Sequence, residues 1–190
     1  MAATQGTDTV FSEYEARELY LTVGETYWPI ECIGKLEEEA EVRKVVKKCR
    51  GRVNKNKTFG TGSGTLKLTC HMPMACYYAL HDMDRDDLAE GVYAYGIENM
   101  HPDVMITGRM LDEDMNEKLM AWPKCVASTG PKRNVENGAE EVAEIEMEIS
   151  YAAVDSGYGR YEAPVGEVSN EIKSTWMGSF TPELVKIETV

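Results

Sequence analysis

The sequence predicts a mainly β protein, an antiparallel meander with one flanking α-helix and extended arms, and three observations carry that reading. Residues 141–151 read EVAEIEMEISY, in which Ala143, Ile145, Met147, Ile149 and Tyr151 alternate with Glu144, Glu146, Glu148 and Ser150. Period two sorts the two sets onto opposite faces of a strand, whereas a helix would scatter both. Residues 104–111 and 117–126 are apolar runs separated by the polar tract DEDMN at 112–116, which is the pattern of a hairpin. Leu66, Leu68 and Cys70 alternate with Lys67, Thr69 and His71 directly after GTGSG at 60–64, giving a further strand.

In chain order, residues 1–18 read as an N-terminal arm. Residues 36–49 fit two patterns. Val42, Val45, Val46 and Cys49 sit at helical spacing, with Glu37, Glu38 and Glu39 ahead of lysines as a helix dipole favours. The β-branched valines followed by RGRVNKNKTFGTGSGTLKL fit one limb of a long hairpin over 42–70 equally well. Helix is predicted over 73–83, where Pro73 suits a first turn and Cys76, Tyr77 and Leu80 make an apolar stripe. Pro123 marks an edge or a bulge in its strand, and STGPKRNVENG at 128–138 is a loop leading into the glutamate strand. Glutamates two apart on a strand lie roughly 7 Å from one another and repel, so their face must meet water or a basic partner. From residue 152 the apolar period fades among Gly157, Gly159, Pro164, Gly166, Gly178 and Pro182, so 152–190 reads as a C-terminal extension that orders on a neighbour.

A chain of 190 residues suits one domain, and 43% hydrophobic against 28% charged residues supplies a core and excludes a disordered chain. No stretch approaches the roughly 18 apolar residues of a membrane span, and MAATQGTDTV lacks the basic end and apolar core of a signal peptide. Neither a membrane protein nor Sec-type secretion is expected. Cys32, Cys49, Cys70, Cys76 and Cys125 form an odd set with no CxxC pair, so reduced thiols in a cytosolic protein are expected rather than a disulfide framework or a zinc finger. Asn56-Lys57-Thr58 matches a glycosylation sequon, which means little without an export signal.

Charge is unevenly placed. Residues 43–57 hold eight bases (Arg43, Lys44, Lys47, Lys48, Arg50, Arg52, Lys55 and Lys57) and no acid, while the whole chain carries −13. The other 175 residues therefore carry 12 bases against 33 acids, a net of −21. A small nucleic-acid-binding module would use the basic stretch on phosphates, but the acidic remainder repels a polyanion. Packing against an acidic neighbouring copy uses the same charges without that conflict.

No constellation carries catalysis, a cofactor or a metal. Asp82, Asp84 and Asp86 begin like a calcium loop, yet Asp87 stands where glycine is needed and Tyr93 where a bidentate Glu belongs. GTGSG lacks the GK[ST] of a phosphate cradle, and Thr65 replaces the last glycine of a dinucleotide fingerprint, so a flexible turn or loop is expected there. His71, His81 and His101, with Cys70 and Cys76, lack metal-ligand spacing. Ser63 lacks a nucleophile elbow. Met100, Met105, Met110, Met115 and Met120 recur every five residues, a period that fits neither strand nor helix and leaves gap-filling as their use.

GKLEEEAEVRKVVKKCRGRVNKNKTFGTGSGTLKLTCHMP (34–73), the YY at 77 and 78, LAEGVYAYGIENMHPDV (88–104) and AWPKCVASTGPKRNVENGAEEVAEIEMEIS (121–150) together resemble the major tail proteins of long-tailed bacteriophages and related prophages. The resemblance spans about residues 20–150. It implies a rolled β-sandwich or barrel with one flanking helix and hexameric rings stacked into a tail tube, with strands of six copies closing one barrel around a channel for double-stranded DNA. It also implies a long hairpin or loop reaching a neighbouring ring, contact with a tape-measure protein and with tail terminator or baseplate proteins, and a place in the virion tail after assembly in the host cytoplasm. On that reading residues 36–49 are strand, and the helical spacing is overruled by burial in the assembly. Six copies at −13 give roughly −78 per ring, a field that keeps a passing duplex from sticking. Glu144, Glu146 and Glu148 are the channel-lining candidates, with the outer solvent face as their alternative place. Arg43, Lys44, Lys47, Lys48, Arg50, Arg52, Lys55 and Lys57 are the inter-subunit candidates, opposite acids such as Glu37, Glu38 and Glu39 of another copy.

Overall fold

The computed structural model describes residues 10–50 and 52–187 of the chain. Its strands are β1 (Glu15–Val23), β2 (Thr26–Ile30), β3 (Cys32–Cys49), β4 (Arg52–His71), β5 (Val104–Leu111), β6 (Glu117–Ala127), β7 (Ile145–Tyr151) and β8 (Tyr161–Pro164). Helix α1 (Met74–Leu80) follows β4, and α2 (Asn170–Ser179) and a 3-10 turn (Pro182–Val185) end the chain. All strands join one antiparallel sheet in the order β2-β1-β5-β6-β7-β4-β3, and β8 pairs with β6 beside that path.

The period-two strand lies where its pattern places it. Met147, Ile149 and Tyr151 are buried and Glu146 is exposed, but β7 begins only at Ile145, so Glu144 precedes the strand. The hairpin predicted over 104–126 is β5 and β6. Its turn is held by Asp112, whose Oδ1 accepts from the backbone N–H groups of Asp114 (3.0 Å) and Asn116 (2.7 Å).

Pro123 sits at a bulge. Val104 stands opposite Cys125 and Ile106 opposite Trp122, so Pro123 and Lys124 together face Met105. At the same place β6 changes partner on its other side, pairing with β8 over residues 118–121 and with β7 over 125–127. A residue without an N–H fits the gap between two ladders.

The sheet rolls around one core of Leu19, Leu21, Leu66, Leu68, Ile106, Trp122 and Ile149, with Cys76 and Leu80 of α1 packed into it. Burial of such side chains contributes about 1.5–3 kcal/mol each. The roll is not a closed barrel: β1 and β3 touch across it, but β2 and β3 each pair with a single strand and remain edges. The expectation of one helix also needs correction, since two α-helices are present among the described residues. The second, α2, is capped by Ser169, whose Oγ accepts from Ile172 N at 3.3 Å, and it buries Trp176.

Trp176, Phe180, Leu119, Ala121 and Ala163 form a second core on the outer face of β6, where Trp176 Nε1 donates to Met120 O at 2.9 Å. Residues 161–185 therefore fold onto the chain's own sheet instead of extending as an arm. At the other end β1 takes in residues 15–18, expected as arm, while residues 1–9 and 188–190 lie outside the described residues.

Residues 36–49 are strand, the limb of a hairpin that begins at Cys32. GTGSG is neither turn nor loop but part of β4. Gly62 takes φ +74°, and a Cβ on Gly64 would strike the Tyr151 hydroxyl. The periodic methionines separate: Met110 and Met120 enter the first core, Met105 packs on the second, and Met100 and Met115 are exposed. Among the described residues no helix is long and apolar enough to cross a membrane.

Candidate functional site

The β7 ladder covers β4 only from Gly64 to Cys70, so β4 before Gly64 pairs with β3 alone. Residues 41–50 and 52–60 form a two-stranded ribbon that leaves the sheet, and the side chains described along it are exposed. At about 3.3 Å per residue, its nearly ten residues a side reach roughly 30 Å.

Pairs Arg43–Phe59, Val45–Lys57 and Lys47–Lys55 share one face, and Val42–Gly60, Lys44–Thr58 and Val46–Asn56 share the other. The Arg43 guanidinium lies 5.8 Å from the Phe59 ring centroid. Val42, Val45, Val46, Val53 and Phe59 are all exposed. The fold thus gathers all eight inter-subunit candidates on one projection, with Arg50 in its turn at φ +50°.

The acids expected to answer this ribbon are arranged differently from one another. Glu37 pairs with Lys35 at 3.0 Å and stands opposite Lys67, which on its other side faces Glu148. A Glu37–Lys67–Glu148 row therefore crosses three strands. Glu146 stands opposite Thr69 on the same face. Glu144 is separate from both, because its carboxylate lies where a Cβ on Gly34 of β3 would stand. Glu39 stands opposite Thr65.

Glu38 points inward. It accepts from Trp122 Nε1 at 3.2 Å and from Arg160 Nη1 at 2.9 Å, while Arg160 Nη2 reaches Glu162 at 2.6 Å. Lys118 continues the chain of charges to Glu162 (3.1 Å) and Glu13 (2.5 Å). These groups rim a cleft of about 620 Å³ where the rolled sheet stays open between β1 and β3, above Leu36, Met110 and Met120. Burial, and then the hydrogen bond and charge of Glu38, push the Tyr151 phenol up. The sequence reading missed this network, since Glu38 looks like its outward neighbours. The one signal available was its position: two residues after Leu36 on a strand, it shares Leu36's buried face.

The opposite end of the sheet carries α1 and residues 82–103. Arg85 ties this segment through Glu98 (3.4 Å), Asp82 (3.7 Å) and Asp87 (3.8 Å), Asn99 Nδ2 donates to the carbonyls of Asp82 and Ala94, and Tyr93 stacks on Tyr78 at 3.9 Å. Val92, Tyr93, Tyr95, Ile97 and Met100 are left on its surface. Buried His81 bonds through Nδ1 to Tyr77 O at 2.9 Å, and burial lowers its pKa.

His101 bonds to Ala127 O and to the Tyr95 hydroxyl, His71 ends β4 at the surface, and Cys70 and Cys76 lie in the core with thiols pushed up by burial to about 12. Among the described residues no three His, Cys, Asp or Glu side chains are grouped to hold a metal ion.

No protein-family model matches the sequence, and no curated protein matches it. Among solved structures, a chain of the anti-feeding prophage baseplate, seen by cryo-electron microscopy with 6-fold symmetrisation, is similar at 12% identity and TM-score 0.46, covering 83% of this chain and 99% of that one. A chain of the cap that terminates the tube of the anti-feeding prophage is similar at 11% identity and TM-score 0.37, covering 87% and 100% respectively.

Proposed function

We propose that the protein is a virion structural subunit that assembles with copies of itself into stacked rings, forming a tail tube through which double-stranded DNA passes. The observation that carries this is the ribbon at the end of an 18-residue edge strand that pairs on one side only. An isolated two-stranded hairpin is marginal in water, and a long strand with one free edge invites pairing. A ribbon that exposes four valines, a phenylalanine and eight bases is incomplete until something covers it.

Identical copies supply both remedies, since edges met around a ring leave no free ladder. The resemblance of residues 34–73, 88–104 and 121–150 to major tail proteins gives that assembly its identity, and with it a tape-measure protein and terminator or baseplate proteins as partners. Assembly then takes place in the host cytoplasm and the product sits in the virion tail. Glu146 and Glu148, with Glu144 at the strand's entrance, are the channel-side candidates; Lys67 between Glu37 and Glu148 makes their face one of mixed charge.

Negative-stain microscopy of the concentrated protein tests the reading: stacked rings with a central hole are expected, and a monomer at every concentration overturns it. A second reading has one observation in its favour, because a two-stranded basic ribbon fits the major groove of DNA. A salt-dependent gel shift with duplex DNA by a protein that forms no rings would replace the first reading with this one.

A further inference from the structure

We infer that the exposed apolar ridge of residues 92–100, built from Val92, Tyr93, Tyr95, Ile97 and Met100, is the seat on which the β3–β4 ribbon of a second copy docks. This rests on the assembly reading above and names the surface that receives the ribbon.

Strand direction places donor and seat at opposite ends of one subunit. The ribbon leaves the sheet where β4 begins. The ridge lies on the connection between α1, which follows the end of β4, and β5, which starts beside Cys125 at the end of β6. In an antiparallel sheet in which β4 and β6 run the same way, these are opposite ends.

The two surfaces match in chemistry. The ridge exposes aromatic, methionine and aliphatic side chains, with Ile97 fully exposed and Met100 at 80%. It sits in a segment, 82–103, that holds seven acids against one base, Arg85. The ribbon exposes valines and a phenylalanine among bases and no acid over 43–57. Apolar centres would meet each other with opposite charges around them, the usual anatomy of a specific interface, and the tyrosine rings offer faces to Lys and Arg.

Charge also disfavours the two symmetric pairings. Ribbon against ribbon sets like charges together, and so does ridge against ridge. What remains is a head-to-tail contact, which propagates instead of closing as a pair. The seat is held in shape before docking by Arg85, Asn99 and the Tyr78–Tyr93 stack, so little ordering cost falls on that side.

Charge reversal in both partners tests the pairing. Lys47→Glu with Lys48→Glu, and separately Asp86→Lys with Glu90→Lys, should each raise the protein concentration needed for polymerisation by about tenfold or more, and all four together should recover most of that loss. Asp86 and Glu90 are exposed and stand outside the Arg85 ion pairs, and circular dichroism of each variant serves as the check on folding. A parallel pair of neutral changes, Lys47→Gln with Lys48→Gln, should give a smaller loss of the same sign. Normal polymerisation of the lysine variants overturns the ribbon as a contact, and the seat falls with it. Impaired lysine variants beside normal Asp86→Lys/Glu90→Lys, or no recovery in the fourfold variant, overturn the seat alone and leave the ribbon as a contact elsewhere.

Discussion

Lys47 and Lys55 stand directly opposite one another near the tip of the ribbon, a like-charge cross-strand pair. Such a pair costs stability in the free subunit and leaves two ammonium groups side by side for an acidic partner. Lys55→Glu turns it into an attractive pair worth about 0.2–1 kcal/mol. Hydrogen exchange of the ribbon amides should slow in the dilute variant while its polymerisation weakens. Faster exchange in the variant would show that the lysines do not strain the ribbon.

Glu38 is a hub: it binds Trp122 and Arg160 and, second to burial, pushes up the Tyr151 phenol, from a strand whose neighbouring glutamates face outward. Glu38→Ala removes two hydrogen bonds and leaves Arg160 without that partner inside the cleft. Because Arg160 is partly exposed and keeps Glu162, a loss of about 2–3 kcal/mol is expected. Glu38→Gln keeps an acceptor for Trp122 and should lose less. Urea denaturation read by tryptophan fluorescence checks both, and equal midpoints for wild type and Glu38→Ala would remove the hub.

These two sites show what the sequence displayed and what it hid. The pattern of β7 was legible because one face lies in the core and the other does not, so burial imposes the period. Residues 42–49 were ambiguous for the opposite reason: both faces of the ribbon are exposed, no core sorts its side chains, and the valines fall at helical spacing without consequence. The eight bases of the candidate contact were countable, but the ridge that answers them was not, since an irregular segment has no period to read. The glycines and prolines after residue 152 suggested an arm. Ser169 as a cap with Ile172 and Trp176 four apart was the helix signal among them.

That overlooked helix carries the third expectation. Trp176 and Phe180, with ring centroids 4.6 Å apart, cover the outer face of β6, and Trp176 also donates to Met120 O. Trp176→Ala should cost about 3–5 kcal/mol and loosen residues 165–185 before the rolled core opens. Limited proteolysis would then cut first within the C-terminal segment. Unchanged cleavage sites and an unchanged melting temperature would mean that the second core adds nothing.

The last expectation concerns acid. His81 is buried under Tyr77, Tyr95 and His101, bonded to Tyr77 O, and its pKa is lowered by burial first and by the neighbouring His101 as well. A histidine whose folded pKa lies below its unfolded value of about 6.5 favours the folded state at neutral pH. Below that value the unfolded chain takes up a proton that the folded chain refuses, so stability falls as pH drops through 6.5 toward the lowered folded value. His81→Gln removes this titration and should narrow the difference in melting temperature between pH 7.5 and 5.5, two pH values chosen to bracket about 6.5. Since His81 anchors α1 beside the 82–103 segment, hydrogen exchange in residues 78–101 should rise at pH 5.5 in the wild type and less so in the variant. The same acid sensitivity in both proteins would place its origin in the carboxylates rather than in this histidine.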